Sequence, residues 1–157
     1  MTEDFLLTNR KHIRRALHPL LVSSLAAEGN LLIPEANIFK GRLANPKGQS
    51  PLVYITSGGS DRPPLTIRQK QAIFRIEIYS LTLLVDPNNN EWTEEMAEDL
   101  LDDIEARIKH VVESNPKMDK LWTSVEYIEG GTTIERVPLA GHDYLVEMIP
   151  VNFKNSF

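Results

Sequence analysis

The chain has 157 residues, 41% hydrophobic and 25% charged, which suits one globular domain with a real core and excludes wholesale disorder. A net charge of −5 makes it a poor candidate for wrapping duplex DNA, where affinity comes from neutralised phosphates, although a local basic patch stays open. The lack of cysteine removes disulfides, thiol nucleophiles and cysteine-type zinc sites, and the acidic start with no apolar run near the roughly 20 residues that span a bilayer leads us to expect a soluble, cytoplasmically made protein.

The first expected element is a helix over residues 8–27, with Ile13, Ala16, Leu17 and Leu20 on one face. Lys11, Arg14, Arg15 and His18 form a basic stripe on the other face, and Pro19 should kink or divide the helix. Gly29-Asn30 is a stop signal. Short strands are expected at residues 37–39 and 52–56, followed by a polar loop over 57–69 that contains Pro63-Pro64. Residues 71–85 read as a long strand in which Phe74, Ile76 and Ile78 alternate with Arg75, Glu77 and Tyr79. Leu81, Leu83 and Val85 then take the opposite parity, which implies either a bulge or burial on both faces.

The second expected helix covers residues 93–113. Thr93 caps it, Glu94 and Glu95 suit its first turn, and Asn115-Pro116 ends it. Its stripe is Met96, Leu100, Ile104, Ile108 and Val111, broadened by Ala97 and Leu101. Its outer face is acidic through Glu98, Asp99, Asp102, Asp103 and Glu105. Strands are expected over 121–129 and 132–137, joined by a Gly130-Gly131 hairpin turn, and a closing strand over 144–153 follows a turn at 138–143. Pro150 points to an edge position or a bulge in that strand. Strands grouped together with two separate helices give an α+β class: one domain over 1–157, with a mixed, mostly antiparallel sheet and both helices on one face.

No motif supplies a catalyst. There is no G-x-x-x-x-G-K-[ST] loop and no G-x-S-x-G elbow, and Ser57-Gly58-Gly59-Ser60 lacks the lysine and following helix of a phosphate cradle. His12, His18, His110 and His142 form no H-x-x-x-H pair, so no metal or cofactor is expected, and His12 and His18 are placed on a solvated basic face. The acidic face of the second helix is read as solvated or subunit-facing. The basic stripe has three open readings: solvent, nucleic acid, or the acidic face of a neighbouring subunit.

Several segments carry a resemblance in their order. Ile38-Phe39-Lys40-Gly41-Arg42-Leu43 has the form apolar-x-x-x-R-L, and Pro51-Leu52-Val53-Tyr54-Ile55-Thr56-Ser57-Gly58-Gly59 is similar to a P-x-apolar-x-V-Y strand with a polar exit. Arg75-Ile76-Glu77-Ile78, the run Leu100-Leu101-Asp102-Asp103-Ile104-Glu105-Ala106-Arg107-Ile108, and Pro138-Leu139-Ala140-Gly141 before the last strand complete the series. This order resembles the tail terminator (tail completion) and minor tail proteins of long non-contractile-tailed bacteriophages, over nearly the whole chain; residues 62–71 and 113–120 have no counterpart.

The resemblance implies a structural virion protein of the tail, at the head–tail interface. Copies would assemble as a homohexameric ring that docks on the last ring of tail tube protein, ends its polymerisation and faces the head connector, with DNA passing through the lumen. The family has no catalytic residues to carry over. Under that reading Lys11, Arg14, Arg15, Arg62, Arg68 and Lys70 are the candidate subunit or partner interface. The alternatives are a head completion (neck) protein on the portal side, a small α+β ligand-binding enzyme, which would need a polar pocket, and a nucleic-acid-binding regulator.

Overall fold

The computed structural model describes residues 10–43, 45–61, 71–127 and 131–156. In chain order they form α1 (Arg10–Leu25), a 3-10 turn (Glu35–Asn37), β1 (Ile38–Phe39), β2 (Leu52–Asp61), β3 (Gln71–Leu83), α2 (Glu94–Ser114), β4 (Ser124–Tyr127), β5 (Thr133–Leu139) and β6 (His142–Ser156). One sheet runs β1-β2-β3-β6-β4, and β5 also pairs with β6. Only β1–β2 is parallel. Both helices pack on the same face of this sheet, so the fold is the expected α+β class.

In α1 the buried residues are Ile13, Leu17, Leu21 and Leu25, an unbroken i, i+4 row. The helix runs through Pro19 without dividing. Pro19 and Arg15 are exposed, so the carbonyl that loses its partner can turn to water. The far end of α1 is tied down from α2, where the Arg107 guanidinium donates to Ser24 O (2.7 Å) and Asn30 O (2.9 Å), carbonyls at and just past the end of α1. α2 begins as its sequence demands: Thr93 Oγ1 accepts from Met96 N (3.2 Å), with Glu94 and Glu95 against the positive end of the dipole. At the other end Asn115 Nδ2 donates to Val111 O at 2.8 Å before Pro116. The buried row is Ala97, Leu101, Ile104, Ile108, Val111 and Val112. Met96, expected within that row, is 45% exposed, because the helix turns Ala97 rather than Met96 toward Leu84 and Leu145.

The long strands β3 and β6 form the middle of the sheet, in one unbroken register from Gln71↔Ser156 to Leu83↔Tyr144. Their helix-facing residues pair apolar with apolar: Phe74↔Phe153, Ile76↔Val151, Ile78↔Ile149. The change of parity at Leu81 is therefore no bulge. Leu81 and Leu83 join Leu52, Tyr54 and Tyr144 in a second cluster on the opposite face, closed over by Phe39 and Leu43. Tyr144 Oη donates to Gln49 O (3.0 Å), which holds the preceding segment across that cluster.

Three strand expectations need correction. The polar stretch after Thr56 is not all loop, since β2 continues to Asp61 and shifts register between Ser57 and Gly59. The extra residue, Gly58, has to be glycine: a Cβ there would meet Arg75 Cγ at 2.9 Å and Glu77 Cγ at 3.1 Å. β4 and β5 do not form a hairpin with each other. They lie one after the other along the same side of β6, which they meet at residues 151–154 and 142–148. The tight hairpin is instead β5–β6, where Ala140 (φ 50) and Gly141 (φ 84) supply the two positive φ angles of a type I′ turn. That places His142 in β6, paired with Leu139. Finally, Pro150 occupies a central strand without a bulge. It faces Glu77 on β3, and on the other side the β5 pairing ends at Met148 while the β4 pairing begins at Val151. The proline thus falls in the break where no described strand needs its missing N–H.

Candidate interface at the sheet edges

The three described candidates, Lys11, Arg14 and Arg15, do not share one environment. Lys11 and Arg15 are exposed on α1. Arg14 and His18, expected on that same outward stripe, are half-buried and turn to the sheet: Arg14 donates to Ser57 Oγ on β2, and His18 Nε2 lies 2.8 Å from Ile38 O on β1. The solvated-face reading of His18 is therefore corrected. Helix α1 lies against β1 and β2, so residues one step round from its apolar row reach the sheet's margin rather than open water. Arg62, Arg68 and Lys70 lie outside the described residues.

What Arg14 reaches is an open strand edge. β1 pairs with β2 only through Ile38↔Val53 and Phe39↔Tyr54. From Ile55 onward the outer side of β2 faces no strand among the described residues. A cleft of about 400 Å³ wraps that edge, with Arg14 on the helix side, Arg42 on the other, and Thr56, Ser57 and Glu77 between them. Glu77 is already engaged: it accepts from Arg75 Nε (3.1 Å) and Tyr79 Oη (3.3 Å). Tyr79 stacks on Tyr54 with ring centroids 5.0 Å apart. Burial first, then the adjacent Glu77 carboxylate, raise the Tyr79 phenol above its ordinary value, so it stays a donor; burial likewise raises Tyr54, against the pull of Arg42. The arginines therefore give this edge its cationic character.

The other side of the sheet ends in β4 and β5, which have no strand beyond them among the described residues. Thr133, Ile134, Glu135 and Arg136 are exposed. Arg136 pairs with Glu94 on α2, and Lys154 Nζ lies 3.1 Å from Glu126 Oε2. Glu126 and Glu135 both point to the face that carries Arg75 and Glu77, because they pair with Asn152 and Val146. Reading straight across the ladders, Tyr127, Val151, Ile76 and Ser57 stand in one row, and Ser124, Lys154, Ile73 and Asp61 in another. β4 is therefore level with the part of β2 that no described strand covers, while β5 is level with the part that β1 covers. β4 also runs opposite to β2, since each step across the sheet between them is antiparallel.

The acidic face of α2 stays outward at Glu98, Asp99, Asp102 and Asp103. Among the described residues, no three His, Asp or Glu side chains come together as a metal site. Ser57-Gly58-Gly59 lies in a strand, not in a turn before a helix. No protein-family model matches the chain, and no curated protein matches it. The described residues define an architecture: an α+β domain whose single sheet ends, among those residues, in two unpaired edges of opposite direction. Sequence reading missed the part of Arg42, although that residue sits in the apolar-x-x-x-R-L segment; what was not legible is that β1 stops two residues into its pairing and leaves an edge beside it.

Proposed function

We propose that the chain is a structural assembly subunit whose copies join head to tail through these two edges and close into a ring. The reading rests on one observation: the stretch of β2 that no described strand covers and the outer edge of β4 are level and antiparallel. Strand addition of β4 from one copy to β2 of the next would continue the sheet with its alternation intact. Such a contact is heterologous, and one without displacement along the strands favours a closed ring over a filament. Charge supports the pairing on the face away from the helices, where Arg42 flanks the β2 edge and Glu126, which also holds Lys154 of its own copy, sits on β4.

Together with the order of segments in the sequence, this supports a subunit of the tail terminator kind. A homohexameric ring would cap the tail tube, end its growth and join it to the head connector, with DNA threading the lumen unread. The work is done by binding, not by chemistry. Arg42→Glu should leave the fold intact and lower ring formation at least tenfold by native mass spectrometry. Adding Glu126→Arg in the same chain should restore much of it. Unchanged assembly in the single variant, or no recovery in the double, contradicts the edge contact; a chain that stays monomeric at all concentrations contradicts the ring itself.

A further inference from the structure

Glu147 shares the inward parity of Leu145, Ile149, Val151 and Phe153, so β6 carries it beneath α2. It is 4% exposed, and its Oε1 has no hydrogen-bond partner. Directly across the ladder is Ser80, fully buried, whose Oγ is also without one. From α2 the charged groups facing Glu147 are the carboxylates of Asp102 and Glu105. On β3 the next inward residue, Thr82, donates its hydroxyl to Ala97 O at 3.4 Å. On β5 the paired residue is Ile134, and the next inward one, Arg136, gives its guanidinium to Glu94. A buried carboxylate thus faces two further carboxylates, with a spare hydroxyl beside it.

Residues directly opposite in an antiparallel pair hold their Cβ atoms about 4.5–5.5 Å apart, yet neither Glu147 Oε1 nor Ser80 Oγ has a hydrogen-bond partner, so no bond joins them and that carboxylate oxygen is buried without a donor. A proton on the Glu147 carboxyl removes the charge that burial penalises. We propose that Glu147 is a proton-operated latch under α2: protonated, it is neutral and lets the helix lie on the sheet; ionised, it repels Asp102 and Glu105 and loosens the middle of the helix. This inference does not depend on ring formation, because every group in it belongs to one copy.

Burial, then Glu105 and Asp102, push the Glu147 carboxyl up from 4.5 to about 7. The folded state therefore holds a proton that the unfolded chain releases. The stability this gives is full below the unfolded value and is lost as pH rises through the folded one, a window of roughly pH 4.5 to 7. The test is thermal unfolding of the full chain and of Glu147→Gln across that window and up to roughly pH 8. The wild type should lose several degrees relative to the variant as pH rises, leaving the glutamine chain the more stable at the alkaline end. Parallel curves overturn the latch. Should Glu147→Gln fail to fold, the Asp102→Asn/Glu105→Gln chain decides, since it should move the wild-type transition to lower pH; an unmoved midpoint overturns the proposal equally.

Discussion

The two faces of β3 and β6 are built to different rules. The helix side is apolar along most of its length, from Ala72 and Phe74 through Ile76 and Ile78, and is covered by two helices, of which α2 is capped at both ends. The opposite side is divided. One half, around Leu81, Leu83 and Tyr144, is apolar and closed by an irregular segment. The other half carries Arg75, Glu77, Asn152 and Lys154. A regular cover cannot readily give way when a side chain is removed, whereas an irregular one can settle into the space. Rigidity should therefore be concentrated on the helix face, with interaction left to the other face and the edges.

The largest effect tests the helix face. Phe153 is 1% exposed and meets Trp122 edge-on, with ring centroids 4.7 Å apart. Phe153→Ala should cost about 3–5 kcal/mol by urea unfolding, since the helices and strands around it hold the cavity open. Leu81→Ala, equally buried but under the irregular segment, should cost less, about 2 kcal/mol, because that cover can collapse. Equal losses at the two sites would erase the distinction between the faces.

Local chemistry made the helices legible. Thr93, Glu94 and Asn115-Pro116 mark α2 without help from the rest of the chain, and strict alternation marks β3. The parity change at Leu81 announces the second face but not its cover, because what closes it comes from around Phe39, Leu43 and Gln49, far along the chain. The hairpin error has the same root. Gly130-Gly131 is a good turn signal, yet β4 and β5 each found a better partner in β6, and nothing local records that choice. Pro150 reads as an edge or bulge residue because a break between two outer strands cannot be read from one strand's sequence. Arg14 and His18 looked solvated for want of knowing which element α1 lies on. Glu147 left a signal that periodicity alone shows: an acid at an inward position between Leu145 and Ile149.

The edge contact can be tested directly because the chain contains no cysteine to confuse the result. Cysteines placed at Ser57 and Tyr127, which stand in one row across the sheet, would face each other wherever β4 of one copy pairs with β2 of the next. On oxidation, the double variant Ser57→Cys/Tyr127→Cys should run on a denaturing gel as a ladder of covalent multimers ending at the ring size, with each single variant stopping at dimer or below. A double variant that stays monomeric under conditions where the protein assembles would contradict the head-to-tail sheet.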